Sequence, residues 1–147
     1  MGTRILLDTN VLVYPYDRRD PAKRDAALAL ARALAHTGGG AVTTQVLSQL
    51  FWAISRHIPD PLPTADAARS VHRHARTWVV LDVTAGTVAE ALRGAEQHGL
   101  PYWDALIWAA AKLAGIPVIL SEDFQDGGEI EGVTFQNPFP PRQGDSA

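Results

Sequence analysis

No cysteine occurs among the 147 residues of the chain. Disulfide cross-links and thiolate metal sites are therefore excluded, and the fold has to rest on an apolar core, which this length can supply. Apolar runs are short as well, and none approaches the ~20 residues needed to span a bilayer. The run Arg4-Ile5-Leu6-Leu7 ends at Asp8 with no small-residue cleavage site behind it, unlike a secretory leader. A cytoplasmic location without a membrane partner is the expectation. Positive charge is not in excess: 13 Lys and Arg stand against 16 Asp and Glu, a net charge of −3. Proteins that hold nucleic acid by bulk electrostatics are usually basic, so any such ligand would have to be held at a local site. What remains is 46% hydrophobic and 20% charged, the composition of one ordinary globular domain.

Apolar patterning divides the chain into alternating strands and helices. Arg4 to Leu7 reads as a buried strand that stops at Asp8-Thr9-Asn10, with a short helical turn to Tyr16 bent at Pro15. Asp20-Pro21 is a helix start, followed by an Ala/Leu-rich helix from Ala22 to His36 that Gly38-Gly39-Gly40 ends. Ala41-Val42-Thr43 is a short strand. Thr44 is then expected to cap a helix to about Arg56, with Val46, Leu47, Leu50, Phe51 and Ile54 at helical spacing. After the loop of Pro59, Pro61 and Pro63 come a helix from Thr64 to Arg76, a strand over Trp78 to Val83, and a Thr84-capped helix to Gly99. Asp104 to Ala111 is an almost wholly apolar helix closed by Gly115. Pro117 to Leu120 is the next strand, and Val133 to Phe135 is expected as a last edge strand. Strands separated by helices imply an α/β fold with a mainly parallel sheet.

In such sheets, sites form beyond the carboxyl ends of the strands. Asp8 directly follows the first strand, and Glu122 and Asp123 follow the strand ending at Leu120. Asp104 shares a helix face with Ile107 and Trp108, one turn away, and is the sole acid of a core-like helix. Each has a structural reading by itself. Asp8-Thr9-Asn10 is a common strand-to-helix cap, Asp104 compensates a helix dipole, and Ser121-Glu122-Asp123 is an ordinary acidic turn. If the two strands are neighbours, however, the three aspartates converge. Carboxylates gathered in a partly buried cleft repel one another, and a hard divalent cation relieves that repulsion. Oxygen-only donors point to Mg²⁺ or Mn²⁺ rather than zinc.

Four segments, in this order and spacing, resemble the PIN-domain proteins, and among these the VapC-type toxin ribonucleases. They are Ile5-Leu6-Leu7-Asp8-Thr9-Asn10-Val11-Leu12, Thr43-Thr44-Gln45-Val46-Leu47, Tyr102-Trp103-Asp104-Ala105-Leu106-Ile107 and Leu120-Ser121-Glu122-Asp123-Phe124. The resemblance runs from Arg4 to Phe135 and implies a three-layer α/β/α sandwich around a mainly parallel sheet. It implies RNA cleavage supported by Mg²⁺ or Mn²⁺, a small antitoxin partner, and a homodimer. By position, Asp8, Asp104 and Asp123 match the family's catalytic, metal-holding acids. Asn10 matches a polar residue of the first motif and Ser121 a small hydroxyl of the last, and Glu122 is an additional candidate. The domain is expected over residues 1–136, with 137–147 a loose, Pro- and Gly-bearing tail.

One position departs from the family pattern. Gln49 stands where the second motif would carry a glutamate, keeping the carbonyl oxygen and losing the charge. A carboxylate ~5 Å from a divalent ion is worth several kcal/mol at an effective dielectric of ~20, before desolvation. Weaker metal binding and a reduced rate are expected, or a PIN fold that only binds RNA or protein. Gln49 also has a bland reading as a solvated residue, with Gln45 and Arg56 on a similar polar side. A phosphatase-like reading with Asp8 as nucleophile is disfavoured, because Asn10 stands where a second acid would support it. Arg18, Arg19, Lys23 and Arg24, or Arg69, Arg73 and Arg76, would meet RNA, although charged helix faces are usually only solvated. His72 and His74 point apart on a helix and are not read as metal ligands. Trp52, Trp103 and Trp108 are expected in core or interface rather than as base-stacking platforms.

Overall fold

In the computed structural model, residues 3–124 and 126–139 are described. Six strands form one sheet in the order β3-β2-β1-β4-β6-β5. These are β1 (Ile5–Leu7), β2 (Gly40–Thr43), β3 (Val79–Leu81), β4 (Val118–Leu120), β5 (Glu129–Ile130) and β6 (Val133–Gln136). The helices are α1 (Thr9–Val13), α2 (Pro21–Thr37), α3 (Thr44–Trp52), α4 (Thr64–Thr77), α5 (Ala85–His98) and α6 (Tyr102–Ala114). A 3-10 turn over Tyr14–Tyr16 follows α1, and a π-helical turn over Ala53–His57 extends α3. Every pairing is parallel except β5 with β6. The architecture is the expected α/β/α sandwich.

The apolar stretches form the central strands because both sheet faces are covered, so period-2 alternation gives way to continuous burial. Leu6, Leu7, Ala41, Val42 and Ile119 are all buried. Helix boundaries follow local chemistry. Asp20 accepts from the Lys23 N–H with Pro21 next in line, and Gly38, Gly99 and Gly115 end α2, α5 and α6 in the left-handed conformation. Thr84 and Thr87 form a reciprocal cap at the start of α5.

Two expectations are corrected. The cap of α3 is Thr43, whose buried Oγ1 accepts from the Val46 N–H at 3.0 Å. Thr44 is already helical, and its hydroxyl accepts from the Val83 N–H. β6 is not the edge strand, because β5 lies outside it. The two-residue turn between them, Glu131-Gly132, has positive φ at both positions (50° and 87°), as a type I′ hairpin requires. Glutamate is a poor choice for a left-handed position. Here it is held by Arg93, His98 and Lys112, which together bring its carboxyl down to about 2. Of the expected tail, residues 140–147 lie outside the described residues. Phe139 is buried, with its ring edge-on to Tyr14 at 4.9 Å.

His74 carries a stability prediction. Its Nδ1 accepts from Trp78 Nε1–H at 2.9 Å, and its Nε2 lies 3.1 Å from the Tyr16 hydroxyl. A ring accepting at Nδ1 carries its proton on Nε2 and is neutral. Burial first, then the charge of Arg73, lower its pKa from 6.5 to about 4. Between these values the unfolded chain binds a proton that the folded chain does not, so stability falls as pH drops from 6.5 towards 4. The expected loss is about 2–3 kcal/mol. Urea midpoints measured at pH 7.5 and 4.5 should separate strongly in wild type and less in His74→Gln. An equal separation in the two proteins would count against this origin.

Candidate active site

Strand order places the acids. From β1 the chain steps outward to β2 and β3, then returns across β1 to form β4. The crevice of such a sheet opens where that reversal occurs, between β1 and β4. Leu7 is paired with Leu120, so Asp8 and Ser121 leave the same sheet edge side by side. The Asp8 N–H donates to Leu120 O at 3.0 Å, holding the two exits together.

Ser121 is the hub. It is fully buried, and its hydroxyl donates to Asp8 Oδ2 at 2.7 Å. Ser121 Oγ in turn accepts from Asn10 Nδ2 and from the Asp123 N–H, each at 3.1 Å. Asn10 Nδ2 also donates to Asp123 Oδ2 at 3.1 Å. Asp8 Oδ1 accepts from the Thr9 N–H at 2.7 Å, so the residue caps α1 while its carboxylate meets the site. Thr9 Oγ1 donates to Gln49 Oε1 at 2.7 Å, tying α3 to the first motif.

Asp8, Asn10, Gln49, Asp104 and Asp123 line one cavity of about 360 Å³. Asp8 is only 8% exposed. Burial chiefly, opposed by the Ser121 and Thr9 hydrogen bonds and reinforced by the charges of Asp123 and Asp104, raises its carboxyl to about 6. Asp104 is raised by burial and then by Asp123. Among the described residues, no three carboxylate or imidazole groups are already gathered closely enough to clasp an ion. The donors are nonetheless hard oxygens that repel one another across a shared cavity, a set suited to a divalent cation.

Glu122 is not brought into this cavity. It accepts from Tyr14 Oη–H and is paired with Lys23 at 2.7 Å, beside a neighbouring cavity of about 680 Å³. Several basic groups considered for RNA are likewise engaged with the protein: Arg19 with Asp17, Arg69 with Asp66, and Arg73 with the Tyr16 hydroxyl. Trp108 is core, fully buried, whereas Trp52 and Trp103 are 55% and 62% exposed.

Sequence reading missed Gln45, His57 and Trp103, which line the acidic cavity too. Gln45 lies one turn before Gln49, so the polar side of α3 faces the cavity rather than bulk water. The buried Gln45 Oε1 has no hydrogen-bond partner among the described residues. His57 reaches the same wall through the π-helical turn, which advances fewer degrees per residue than an α-turn. The signal for Gln45 was its i,i+4 spacing, but nothing in the sequence announced the π-turn.

A family model described as the PIN domain matches residues 5–125. A toxin–antitoxin complex from Klebsiella pneumoniae contains a chain with the same fold. Its TM-score is 0.68 at 16% identity, over 92% of this chain and 98% of that one. VapBC2 from Rickettsia felis, bound to a DNA fragment from its promoter, superposes with a TM-score of 0.65 at 17% identity, over 90% and 97%. VapC20 from Mycobacterium tuberculosis, a toxin that cleaves the sarcin–ricin loop, gives 0.61 at 20% identity, over 81% and 91%. No curated protein sequence matches the chain.

Proposed function

The chain belongs to the PIN domain family, and from that premise we propose that it is a divalent-metal-dependent RNA endonuclease, the toxin of a toxin–antitoxin pair. The observation that carries this reading is the convergence of Asp8, Asp104 and Asp123 on one cavity at the β1/β4 switch point. Solved toxin–antitoxin complexes that share the fold support it, as does a structural neighbour that is a sarcin–ricin loop cleaving toxin.

Asp8, Asp104 and Asp123 are the residues that would hold Mg²⁺ or Mn²⁺. Such an ion, when bound, activates water and offsets charge on the phosphate undergoing hydrolysis. Ser121 and the Thr9 N–H fix both oxygens of Asp8, so its carboxylate is oriented before any ligand arrives. Asn10 Nδ2 holds one oxygen of Asp123, Oδ2, and the Asn10 oxygen is steadied by the Glu122 N–H. Glu122 thus acts through its backbone and its pairing with Lys23, at a distance from the chemistry. The partners proposed are RNA, a small antitoxin and a second copy of the chain, acting in the cytoplasm. None of the helices among the described residues is long and apolar enough to cross a membrane.

The decisive experiment is a metal titration of RNA cleavage with wild type, Asp8→Asn and Gln49→Glu side by side. Gln49→Glu keeps an acceptor for Thr9 Oγ1 and restores a negative charge to the cavity wall. Half-maximal activity is expected at about tenfold lower metal concentration, with a higher plateau. A second reading, a PIN fold that binds without cutting, is motivated by Gln49. It gains if wild type leaves RNA intact at every Mn²⁺ concentration while Gln49→Glu cuts.

A further inference from the structure

Trp103 lies in the first turn of α6, a helix buried without interruption from Ala105 to Ala111, yet its own side is 62% exposed. It is adjacent to Asp104 and lines the acidic cavity with it. Its indole is not loose: the Tyr102 ring stands edge-on at 5.2 Å and 69°. His57 reaches the same cavity from the π-helical turn, its ring braced by Trp52 at 5.1 Å. Two flat rings from separate elements therefore border a space of about 360 Å³, within the ~300–1,000 Å³ of small-ligand sites.

The remaining walls make this placement informative. The cavity bears aspartates, Arg19 and Lys23 nearby are paired with acids, and the chain is net negative. Attraction of phosphates to basic side chains, the usual source of nucleic-acid affinity, is weakened by these pairings. Stacking of bases on aromatic rings supplies affinity that requires no basic surface and tolerates any base.

Resting on the ribonuclease reading, we infer that Trp103 stacks an unpaired nucleobase beside the phosphate to be cut, with His57 bordering the same seat. A base held in a duplex has no free face to offer, so the seat selects single-stranded or looped RNA.

The test is a cycle of cleavage assays with Mn²⁺ on a short single-stranded RNA. Wild type, Trp103→Phe and Trp103→Ala are compared on the intact strand and on strands abasic at each nucleotide flanking the cut. Trp103→Ala is expected to raise KM about 10–100-fold on the intact strand, with a far smaller change in kcat, and Trp103→Phe to recover most of the loss. At the contacted nucleotide, the abasic substitution and Trp103→Ala should cost no more together than either does singly. Equal cleavage by wild type and Trp103→Ala, or a loss undiminished on every abasic strand, would overturn the inference and leave the nuclease intact. Unchanged cleavage combined with lost inhibition by the antitoxin would assign Trp103 to a protein contact and equally overturn it. Failure of wild type to bind or cut any RNA would instead sink the ribonuclease reading itself.

Discussion

Asp8→Asn is expected to lose at least about a hundredfold in cleavage rate, yet to melt no lower than wild type in metal-free buffer at pH 7.5. The two halves have one cause. Asp8 is nearly enclosed, close enough to Asp104 and Asp123 to feel their charge, and its carboxyl is raised from 3.8 to about 6. A raised acid favours folding below the unfolded value and loses that contribution as pH climbs through the folded value. At pH 7.5 the ionised group therefore burdens the metal-free fold by about 3 kcal/mol. Asparagine removes the charge at nearly constant shape. It also forfeits a hydrogen bond, because Ser121 Oγ already accepts from Asn10 and Asp123 and has no room for a third donor. That loss is worth about 1 kcal/mol, so a net gain of roughly 1–2 kcal/mol remains. Added Mn²⁺ should raise the melting temperature of wild type and leave the variant nearly unmoved, since a ligand stabilises only the state that binds it. Scanning calorimetry with and without EDTA, beside a single-turnover cleavage assay, reads both effects. A variant that cuts at the wild-type rate removes Asp8 from the chemistry.

The largest expected effect on folding lies far from the acids. Gly94→Val should destabilise the protein by about 3 kcal/mol or more and lower its melting temperature by roughly 6–12 °C. A Cβ at Gly94 would stand 2.5 Å from Cζ3 of Trp108, closer than carbon atoms approach. The indole has little freedom to retreat. It is fully buried, donates through Nε1 to Ile130 O at 3.1 Å, and has Arg93 and Lys112 5.6 and 5.5 Å from its ring centroid. Gly94 is what lets α5 and α6 approach each other over this ring. Trp108→Leu alone should be costly too, but in the double variant the smaller side chain vacates the space the valine needs. The double variant should therefore be more stable than the sum of the single losses predicts, by 1 kcal/mol or more. Strict additivity in urea unfolding would show that the clash is not what destabilises Gly94→Val.

The alternation of strands and helices was legible because burial leaves a mark at short range. Continuous apolar runs stop at acids, glycines close helices, and Asp20-Pro21 and Thr84 open them. β5 was not legible, being two residues long and specified by Glu131-Gly132, whose unfavourable left-handed glutamate is held by Arg93, His98 and Lys112 from two distant helices. The cap of α3 was misplaced by one residue because Thr43 and Thr44 offer the same hydroxyl. Only packing decides which of them faces its own helix and which faces Val83.

For the site, the sequence alone singled out the candidate residues: Asp8 after one strand, Asp104 in the first turn of one helix, and the Ser121-to-Asp123 turn after another strand. Each is named by its position relative to a local element, and local elements are written in nearby residues. The tertiary structure decided which of these candidates meet. Pairing of β1 with β4 joined Asp8 to Ser121, and Lys23 with Tyr14 drew Glu122 away. The π-turn and the start of α6 placed His57 and Trp103 on the rim. Those outcomes depend on contacts between residues as many as 113 positions apart, as from Asp8 to Ser121 and from Asn10 to Asp123. No periodicity or spacing encodes them, because they are settled only when the folded chain closes its core.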